Sequence, residues 1–349
     1  MPDGAMQREC RQLACGVSRA GARRPNSPAE GFVSDTRAGA VRSPPNTASI
    51  VACLAALYII WGTTYFAIKV AITGLAPFFI VGTRFTTAGL AVLAWQWLRG
   101  ERLPSAREWR AAALIGFLLL VVGNGSVTIA ERWVSSGATV ALGSILPLAT
   151  ALWSGIFGRW PRRGEWAAIA LGALGAAVML SGRDLSANLT GTLIILTGVT
   201  SWSLGTVVSK HVPVPEGPTG FGAEMLAAGI MGLVLSLALR EPWQLPHTPS
   251  VWCAWGYLVV FGSLVGFSAF RYLVERVSPT LASTYAYVNP PVGLLVGWGL
   301  GDETFSPSLL VGLPVVLASV ALHAWVHSRS PGRRAGEAAP ERASARSAE

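Results

Sequence analysis

Charged residues are scarce in this sequence: Asp, Glu, Lys and Arg make up 13% of its 349 residues, whereas hydrophobic residues make up 52%. Because about a quarter of the residues in an ordinary soluble domain are charged, the composition excludes that class and indicates an integral membrane protein. Cysteine is scarce as well, and the four cysteines, Cys10, Cys15, Cys53 and Cys253, lack the spacing of metal ligands. We therefore expect no disulfide framework and no metal site, and the sequence suggests no cofactor.

Long apolar runs, in contrast, are abundant. Ten of them follow one another with short, charged connections, and most are long enough to cross a hydrocarbon core of ~30 Å. In lipid, a segment that pairs all of its own backbone groups must be helical. The sequence therefore predicts an all-α integral membrane protein with ten transmembrane helices. They are expected at residues 49–71, 77–98, 110–130, 134–157, 165–181, 190–209, 219–239, 251–273, 278–299 and 307–327.

Three patterns recur in the same order, with offsets that cluster near 140 residues. Pro147 follows Ser135 by twelve residues, as Pro290 follows Ser278. A lysine eight residues after a tryptophan recurs at 61–69 and 202–210, and a charged residue five residues before a glycine recurs at 84–89 and 224–229. The chain is therefore predicted to contain two copies of one unit.

Each copy contains five predicted helices, an odd number, so the second copy must enter the membrane from the opposite side. We expect an inverted repeat, which is the architecture of many secondary transporters. The predicted units are a disordered cytoplasmic tail, a first repeat, a second repeat and another disordered cytoplasmic tail, at 1–48, 49–181, 190–327 and 328–349. For residues 1–46, a start codon assigned too far upstream is the alternative, since they show no folding pattern.

Basic residues are distributed asymmetrically between the two sides of the membrane. With the N-terminus inside, twenty-two lie in cytoplasmic segments and three, Arg132, Arg183 and Arg240, lie in outside loops. The positive-inside rule then predicts a multi-pass protein of the plasma (inner) membrane with both termini cytoplasmic. The net charge of +9 thus indicates topology and no nucleic-acid partner. The expected partners are membrane lipid and a small-molecule substrate, and a homodimer is left open.

Polar and aromatic residues share helical faces inside the apolar runs. Trp61 and Tyr65 are four residues apart, as are Tyr285 and Asn289, so each pair lies on one face. A polar or ionisable group inside a span is costly and marks a functional site by default. We predict a substrate cavity lined by Trp61, Tyr65, Arg84, Asn124, Thr128, Trp202, Glu224, Tyr285 and Asn289.

Three prolines interrupt predicted helices. Pro147, Pro290 and Pro291 withhold backbone donors, which a membrane tolerates where neighbours or a water-filled cavity pair the freed carbonyls. We therefore predict hinges or helix breaks at these positions, beside the cavity.

Two carboxyl groups are candidates for coupling transport to an ion. Glu224 lies about five residues inside its run, and pairing with a cation is its alternative role. Glu131 is the second candidate. It lies near the end of a run, as do Lys69 and Lys210, and extension into the headgroups is the alternative for these three side chains. Arg84 lies roughly 10 Å into the bilayer, and an internal ion pair is the alternative to a role in the cavity.

The motifs resemble a known family. W-G-T-T-Y-F-A-I-K at 61–69, G-N-G-S-V-T-I-A-E at 123–131 and S-P-T-L-A-S-T-Y-A-Y-V-N-P at 278–290 are similar to the EamA family of the drug/metabolite transporter superfamily, and more narrowly to YedA-type inner-membrane exporters. The resemblance covers residues from about 50 to 327. It implies the ten-helix EamA fold and efflux of small metabolites, amino acids or drugs across a bacterial plasma membrane.

One position departs from the family pattern. Many members carry a glutamate where this chain has Trp160, the counterpart of Glu303 in the second copy. A symmetric pair of functional glutamates is therefore not expected. We expect Glu303 to act locally, at the mouth of the last hairpin.

The leading hypothesis is a secondary active transporter that exports small molecules by alternating access. A facilitative channel or uniporter is the first alternative, although a channel requires rings of polar groups along a pore. A membrane enzyme that acts on lipid-linked substrates is the second alternative. It would require a convergent acid, base or nucleophile set, which the sequence does not reveal, so an enzyme is not expected.

Overall fold

The computed structural model describes residues 47–158, 160–161, 163–183, 188–215, 217–276 and 285–328. The regular secondary structure of these residues is helical, as the predicted all-α class requires. The predicted tails lie outside them except at their inner ends. We number ten helical regions in chain order: α1 (Thr47–Ala71), α2 (Pro77–Leu98), α3 (Ala106–Ala130), α4 (Ser136–Ile156), α5 (Arg163–Leu180), α6 (Leu189–Val208), α7 (Gly217–Ala238), α8 (Pro249–Tyr257, Leu258–Val265 and Gly266–Arg276), α9 (Tyr285–Gly301) and α10 (Pro307–Ser328).

Eight of these regions, α1 to α8, are long and apolar enough to cross a membrane. The description of α9 begins at Tyr285, so the start of the run expected at 278–299 lies outside the described residues. In α10 the apolar stretch is shorter, Pro307–Leu322. The described chain is thus a multi-pass membrane protein built from apolar helices.

Short polar residues set several helix starts. Ser105 and Glu108 form a capping box at the start of α3, in which each side chain accepts from the other's backbone N–H. Ser135 Oγ accepts from Ala138 N at 3.2 Å at the start of α4. These caps satisfy backbone donors that the first helical turn leaves without a partner.

Two of the helices contain a π-helical segment of eight residues. It spans Phe117–Asn124 in α3 and Leu258–Val265 in α8, and the two segments begin 141 residues apart. Extended π-helical segments are rare and occur mostly at functional sites. The two copies therefore depart from regular α-helix at the same place in each unit.

The prolines behave differently in the two copies. In α4 the helix stops at Gly143 and resumes at Leu146, directly before Pro147. The expected break in the second copy is absent, because α9 continues through Pro290 and Pro291 as one helix. Both prolines lie within the first two turns of its described length, and membrane helices tolerate proline where neighbouring helices compensate for the lost bonds.

Helices at equivalent places in the two copies pack against each other in antiparallel fashion. In α2 and α7, Gly82 contacts Leu233 while Gly89 contacts Gly222 and Leu226, so one residue number rises as the other falls. The same inverse order relates α5 to α10 and α4 to α9. The contacts that show it are Gly164 with Val326, Gly175 with Val316, Gly182 with Ser306, Gly137 with Leu294 and Val140 with Gly293.

Candidate functional site

A cavity of about 120 Å³ lies between helices of the two predicted copies. It is large enough for several waters or one small organic molecule. Helices α1, α2, α3 and α4 of the first copy and α6, α8 and α9 of the second contribute its wall. The lining residues used below are Trp61, Tyr65, Arg84, Asn124, Gly143, Trp202, Gly262, Phe267, Tyr285, Asn289 and Pro290.

Aromatic side chains form one wall. Trp61 meets Tyr285 edge-on, with ring centroids 5.0 Å apart, and meets Phe267 edge-on at 5.4 Å. Such pairs stabilise each other by about 0.5–1.5 kcal/mol beyond area burial, so the wall is held in place before a ligand arrives. Trp202 of α6 also faces the cavity.

Arg84 brings a charged group to this apolar space. Its side chain is 2% exposed, and Nε donates to Ser263 Oγ of α8 at 2.8 Å. Atom Nη1 is buried and has no hydrogen-bond partner among the described residues. Inserting an arginine at the centre of a membrane helix costs about 2.5–3.5 kcal/mol. The incompletely paired guanidinium of Arg84 therefore indicates a bound ligand or another function.

The π-helical segment of α8 makes room for Arg84. A Cβ placed on Gly262 would lie 2.9 Å from Arg84 Nη2, and Ser263 follows directly. The guanidinium also lies over the Phe85 ring, with Cζ 4.7 Å from the centroid. The second copy thus positions a cation that the first copy supplies.

Two amides face the same cavity. Asn124 ends the π-helical segment of α3, and Asn289 lies in α9 directly before Pro290. The side-chain oxygen of each is buried without a hydrogen-bond donor among the described residues. Leaving such an acceptor unpaired costs about 1–3 kcal/mol, which a ligand carrying hydrogen-bond donors would recover.

A lysine and a buried glutamate lie close together at the end of the bundle where α1 finishes. Lys69 Nζ donates to the backbone carbonyls of Glu131 and of Val134, the latter at 3.3 Å. The Glu131 side chain is fully buried, and neither carboxyl oxygen has a hydrogen-bond partner in the described part of the chain. Lys69 therefore binds backbone carbonyls, which differs from the alternative in which its side chain extends into the headgroups.

Glu303 joins this end of the bundle. Its carboxylate accepts from Ser136 N at 2.9 Å, from Ser136 Oγ at 2.9 Å and from Gly137 N at 3.0 Å. The expectation that Glu303 acts locally is wrong, because it binds the first turn of α4 in the other copy. The positive end of that helix dipole stabilises the carboxylate.

Glu241 makes a second contact of this kind. It follows α7 and accepts from Phe78 N at 3.3 Å and Phe79 N at 3.0 Å, in the first turn of α2. The end of α1 packs on Ile80 of α2, so both carboxylates lie at the same end of the bundle. Each connects the second copy to a helix start of the first.

The remaining residues singled out in the sequence do not line the cavity. Thr128 is fully buried, and its Oγ1 donates to Asn124 O at 2.9 Å. Glu224 lies on α7 against α3, where its carbonyl oxygen would block a Cβ on Gly116. Lys210 is exposed beyond the end of α6. Of the nine predicted cavity residues, seven line the cavity, and Thr128 and Glu224 do not.

Sequence reasoning missed several lining residues. Half of the missed residues are small or hydroxylated, namely Thr64, Gly123, Thr139, Gly143, Ser144, Gly198 and Gly262, and the other half are the apolar residues Ile68, Val127, Val140, Leu146, Ile195, Val199 and Phe267. Ser263, which holds Arg84, was also missed. The structure shows that Ser263 lies in the π-helical segment of α8, and that Asn124 lies at the end of the equivalent segment of α3. Comparing the two copies around Asn124 could therefore have pointed to Ser263.

Comparison with known proteins identifies the family of this chain. Two segments of the chain, residues 47–181 and 189–325, each match the EamA-like transporter family. The chain belongs to the EamA family. This confirms the resemblance inferred from the motifs, and the double match agrees with the recurrence of patterns along the sequence.

Individual relatives extend this result. The uncharacterized inner membrane transporter YedA of Escherichia coli (strain K12) is 43% identical over 270 residues, which cover 77% of this EamA chain and 88% of YedA. A probable terminal-alkyne amino-acid exporter of Streptantibioticus cattleyicolor is 26% identical over 304 residues, covering 81% and 95% of the two chains. Relatives of this EamA protein are thus named as membrane transporters or exporters.

A solved crystal structure shares the fold. It superposes with a TM-score of 0.58, covers 82% of this EamA chain and all of its own, and is 18% identical in sequence. At this identity the similarity concerns the arrangement of helices alone.

Proposed function

We propose that this protein is a secondary active transporter that exports small organic molecules across the plasma membrane by alternating access. The observation that carries the proposal is the cavity between two copies whose equivalent helices run antiparallel. Two inverted halves around one central site can open it to either side in turn. The transporter names of the relatives support the same function, and the family gives no support to an enzyme.

Ten transmembrane helices in two inverted repeats are part of this proposal. The antiparallel pairs α2 with α7, α4 with α9 and α5 with α10 support the inversion, and the double family match supports two units. With ten helices in all, both termini lie on the same side, and the arginine distribution supports the cytoplasm as that side. Reporter fusions test this: fusion after Arg163 should report cytoplasm and fusion after Arg183 the outside, and the reverse pattern contradicts the topology.

The size and lining of the cavity support a small substrate. The space is lined mostly by apolar and aromatic residues, with a few polar groups, as in small-molecule sites generally. One relative is named as an amino-acid exporter, which supports metabolites or amino acids as cargo. We propose that Trp61, Tyr65, Asn124, Trp202, Tyr285 and Asn289 contact the substrate.

We further propose Glu131 as the group that couples transport to a proton, with Glu224 as the second candidate. Buried carboxyl groups inside membrane proteins mark ion pathways and proton relays, and both oxygens of Glu131 lack a partner among the described residues. The interruption of α4 before Pro147 is the proposed hinge. It lies beside Gly143 of the cavity wall.

A counterflow experiment tests the carrier function. Proteoliposomes containing the full chain are loaded with an unlabelled solute, and labelled solute is added outside at trace concentration, across a panel of radiolabelled amino acids and a fluorescent cationic dye. A carrier accumulates label transiently above equilibrium, whereas a channel only equilibrates it and an enzyme alters it chemically. Liposomes without protein are the control. Equilibration without overshoot for every permeating solute contradicts alternating access.

A further inference from the structure

Arg84 is the only charged residue among the described residues that line the cavity. No ion pair with another described residue is found for Arg84. The alternative of an internal ion pair, raised from the sequence, therefore has no support in this part of the chain. An arginine that lies at the wall of a binding cavity, with no counter-ion among the described residues, presents its charge to the molecule that occupies the cavity.

We propose that the cavity takes a small, largely apolar molecule bearing a carboxylate, and that Arg84 binds this carboxylate and selects for it. This inference rests on the proposed function and names the substrate class of the same site. It gives Arg84 a role in specificity, which neither the family match nor the names of relatives assign.

The geometry of the guanidinium favours a carboxylate. Nε is occupied by Ser263 Oγ, while Nη1 has no partner among the described residues. Gly262 leaves Nη2 the space that any other side chain would take. A guanidinium with terminal nitrogens available matches the two oxygens of a carboxylate in a planar, charge-assisted arrangement.

The rest of the wall limits what else the ligand carries. One arginine balances a single negative charge, so a phosphorylated molecule with two charges would leave charge uncompensated in an apolar space. The Asn124 and Asn289 oxygens, which lack donors among the described residues, accept from an ammonium or hydroxyl group on the same molecule. Trp61 and Trp202 supply the surface for its apolar body.

Three probes that share an isobutyl group separate the contribution of the carboxylate from that of the amine. Isocaproate carries only the carboxylate, L-leucine carries the carboxylate and an ammonium group, and isoamylamine carries only the amine. Binding of each to the purified full chain in nanodiscs is measured by isothermal titration calorimetry. We expect wild-type protein to bind isocaproate and L-leucine at least about tenfold more tightly than isoamylamine, because only carboxylates gain the charge-assisted bonds.

Arg84→Gln is the decisive variant. It should weaken isocaproate binding by about tenfold or more and remove the preference over isoamylamine. Arg99→Gln is the matched control, because Arg99 follows the same helix and is exposed over the Trp95 ring; its dissociation constants should stay within about twofold of wild type. Isocaproate binding unchanged in Arg84→Gln, or tighter wild-type binding of isoamylamine than of both carboxylates, overturns the proposal.

Gly262→Ala provides the test if Arg84→Gln fails to fold. Its new methyl group displaces Nη2 while the charge remains, so the affinity for both carboxylates should fall and that for isoamylamine should not. Equal losses for all three probes, or no binding of either carboxylate to wild type, also overturn the proposal. Counterflow of other solutes would then continue, which separates failure of this inference from failure of the carrier function.

Discussion

In the first copy, α2 places Arg84 at the wall of the cavity, whereas the equivalent residue of the second copy, Glu224 in α7, lies outside that wall. Yet α2 and α7 are direct neighbours that cross in antiparallel fashion through glycines at equivalent places. The backbone arrangement is therefore nearly symmetric, while the side chains that face a ligand are not. In the proposed alternating access, the similar backbones would provide two halves that exchange roles, and the different side chains would provide one binding mode.

The π-helical segments show the same division. Both copies have one in the helix after Arg84 or Glu224, over Phe117–Asn124 and Leu258–Val265. The first ends in Asn124, which faces the cavity, and the second presents Ser263 to Arg84. The same backbone irregularity thus supplies a ligand contact in one copy and a positioning contact in the other.

The largest effect is expected where α2 and α7 approach each other most closely. A Cβ on Gly229 would collide with the backbone of Phe85 and Thr86, so Gly229→Leu should prevent α2 and α7 from meeting and should abolish recovery of folded protein. Size-exclusion chromatography with fluorescence detection measures this. Gly299→Leu is the control, because a Cβ on Gly299 meets nothing within 4 Å. Normal recovery of Gly229→Leu would show that the crossing is not required.

The proposed coupling group gives the next largest effect. Glu131→Gln keeps the size of the side chain and removes its proton, so gradient-driven efflux should fall by roughly tenfold or more while counterflow continues, because exchange needs no net proton movement. Glu224→Gln sharpens the comparison, since we expect it to keep gradient-driven efflux. The opposite result for the two variants would transfer the coupling role to Glu224.

A moderate effect is expected from the carboxylates that connect the two copies. Glu303→Gln weakens three hydrogen bonds to the first turn of α4, and Glu241→Gln weakens two to that of α2. Each substitution should lower the free energy of unfolding by about 0.5–2 kcal/mol and the apparent Tm by a few degrees. Glu101→Gln is the control, because Glu101 is exposed at the place in the first copy that matches Glu241. Equal Tm values in all three variants would contradict the contacts.

The smallest effect is a gain in stability. Gly256 lies inside α8 with open space around its Cβ position, so Gly256→Ala should stabilise the helix by about 0.5–1 kcal/mol through lower backbone entropy in the unfolded chain. In α3, the equivalent helix of the first copy, Ile115 is 1% exposed. Thermal melting should show that Ile115→Ala lowers the free energy of unfolding by about 2–5 kcal/mol, because it leaves a cavity in the core. Changes of the same sign at both sites would break the expected asymmetry.

The sequence predicted the apolar helices well, because the length and composition of a membrane span are local properties. It also predicted that Trp61, Tyr65, Arg84 and Asn289 lie around one space, since polar groups in lipid must face the interior. The break expected at Pro290 is absent, because whether a helix survives a proline depends on the helices packed against it. The positions of Ser263 and Glu303 could not be predicted either, because their contacts join residues far apart in the chain.

The contacts of the Glu241 and Glu303 carboxylates differ from the other contacts between the two copies in their dependence on the surrounding solution. Both end on the first turn of a helix of the other copy, at the same end of the bundle. The attraction between an anion and a helix start is weakened by dissolved salt, whereas the glycine-lined crossing of α2 and α7 depends on shape. We therefore expect higher ionic strength on this side of the membrane to weaken the Glu241 and Glu303 contacts and to leave the helix crossings unchanged.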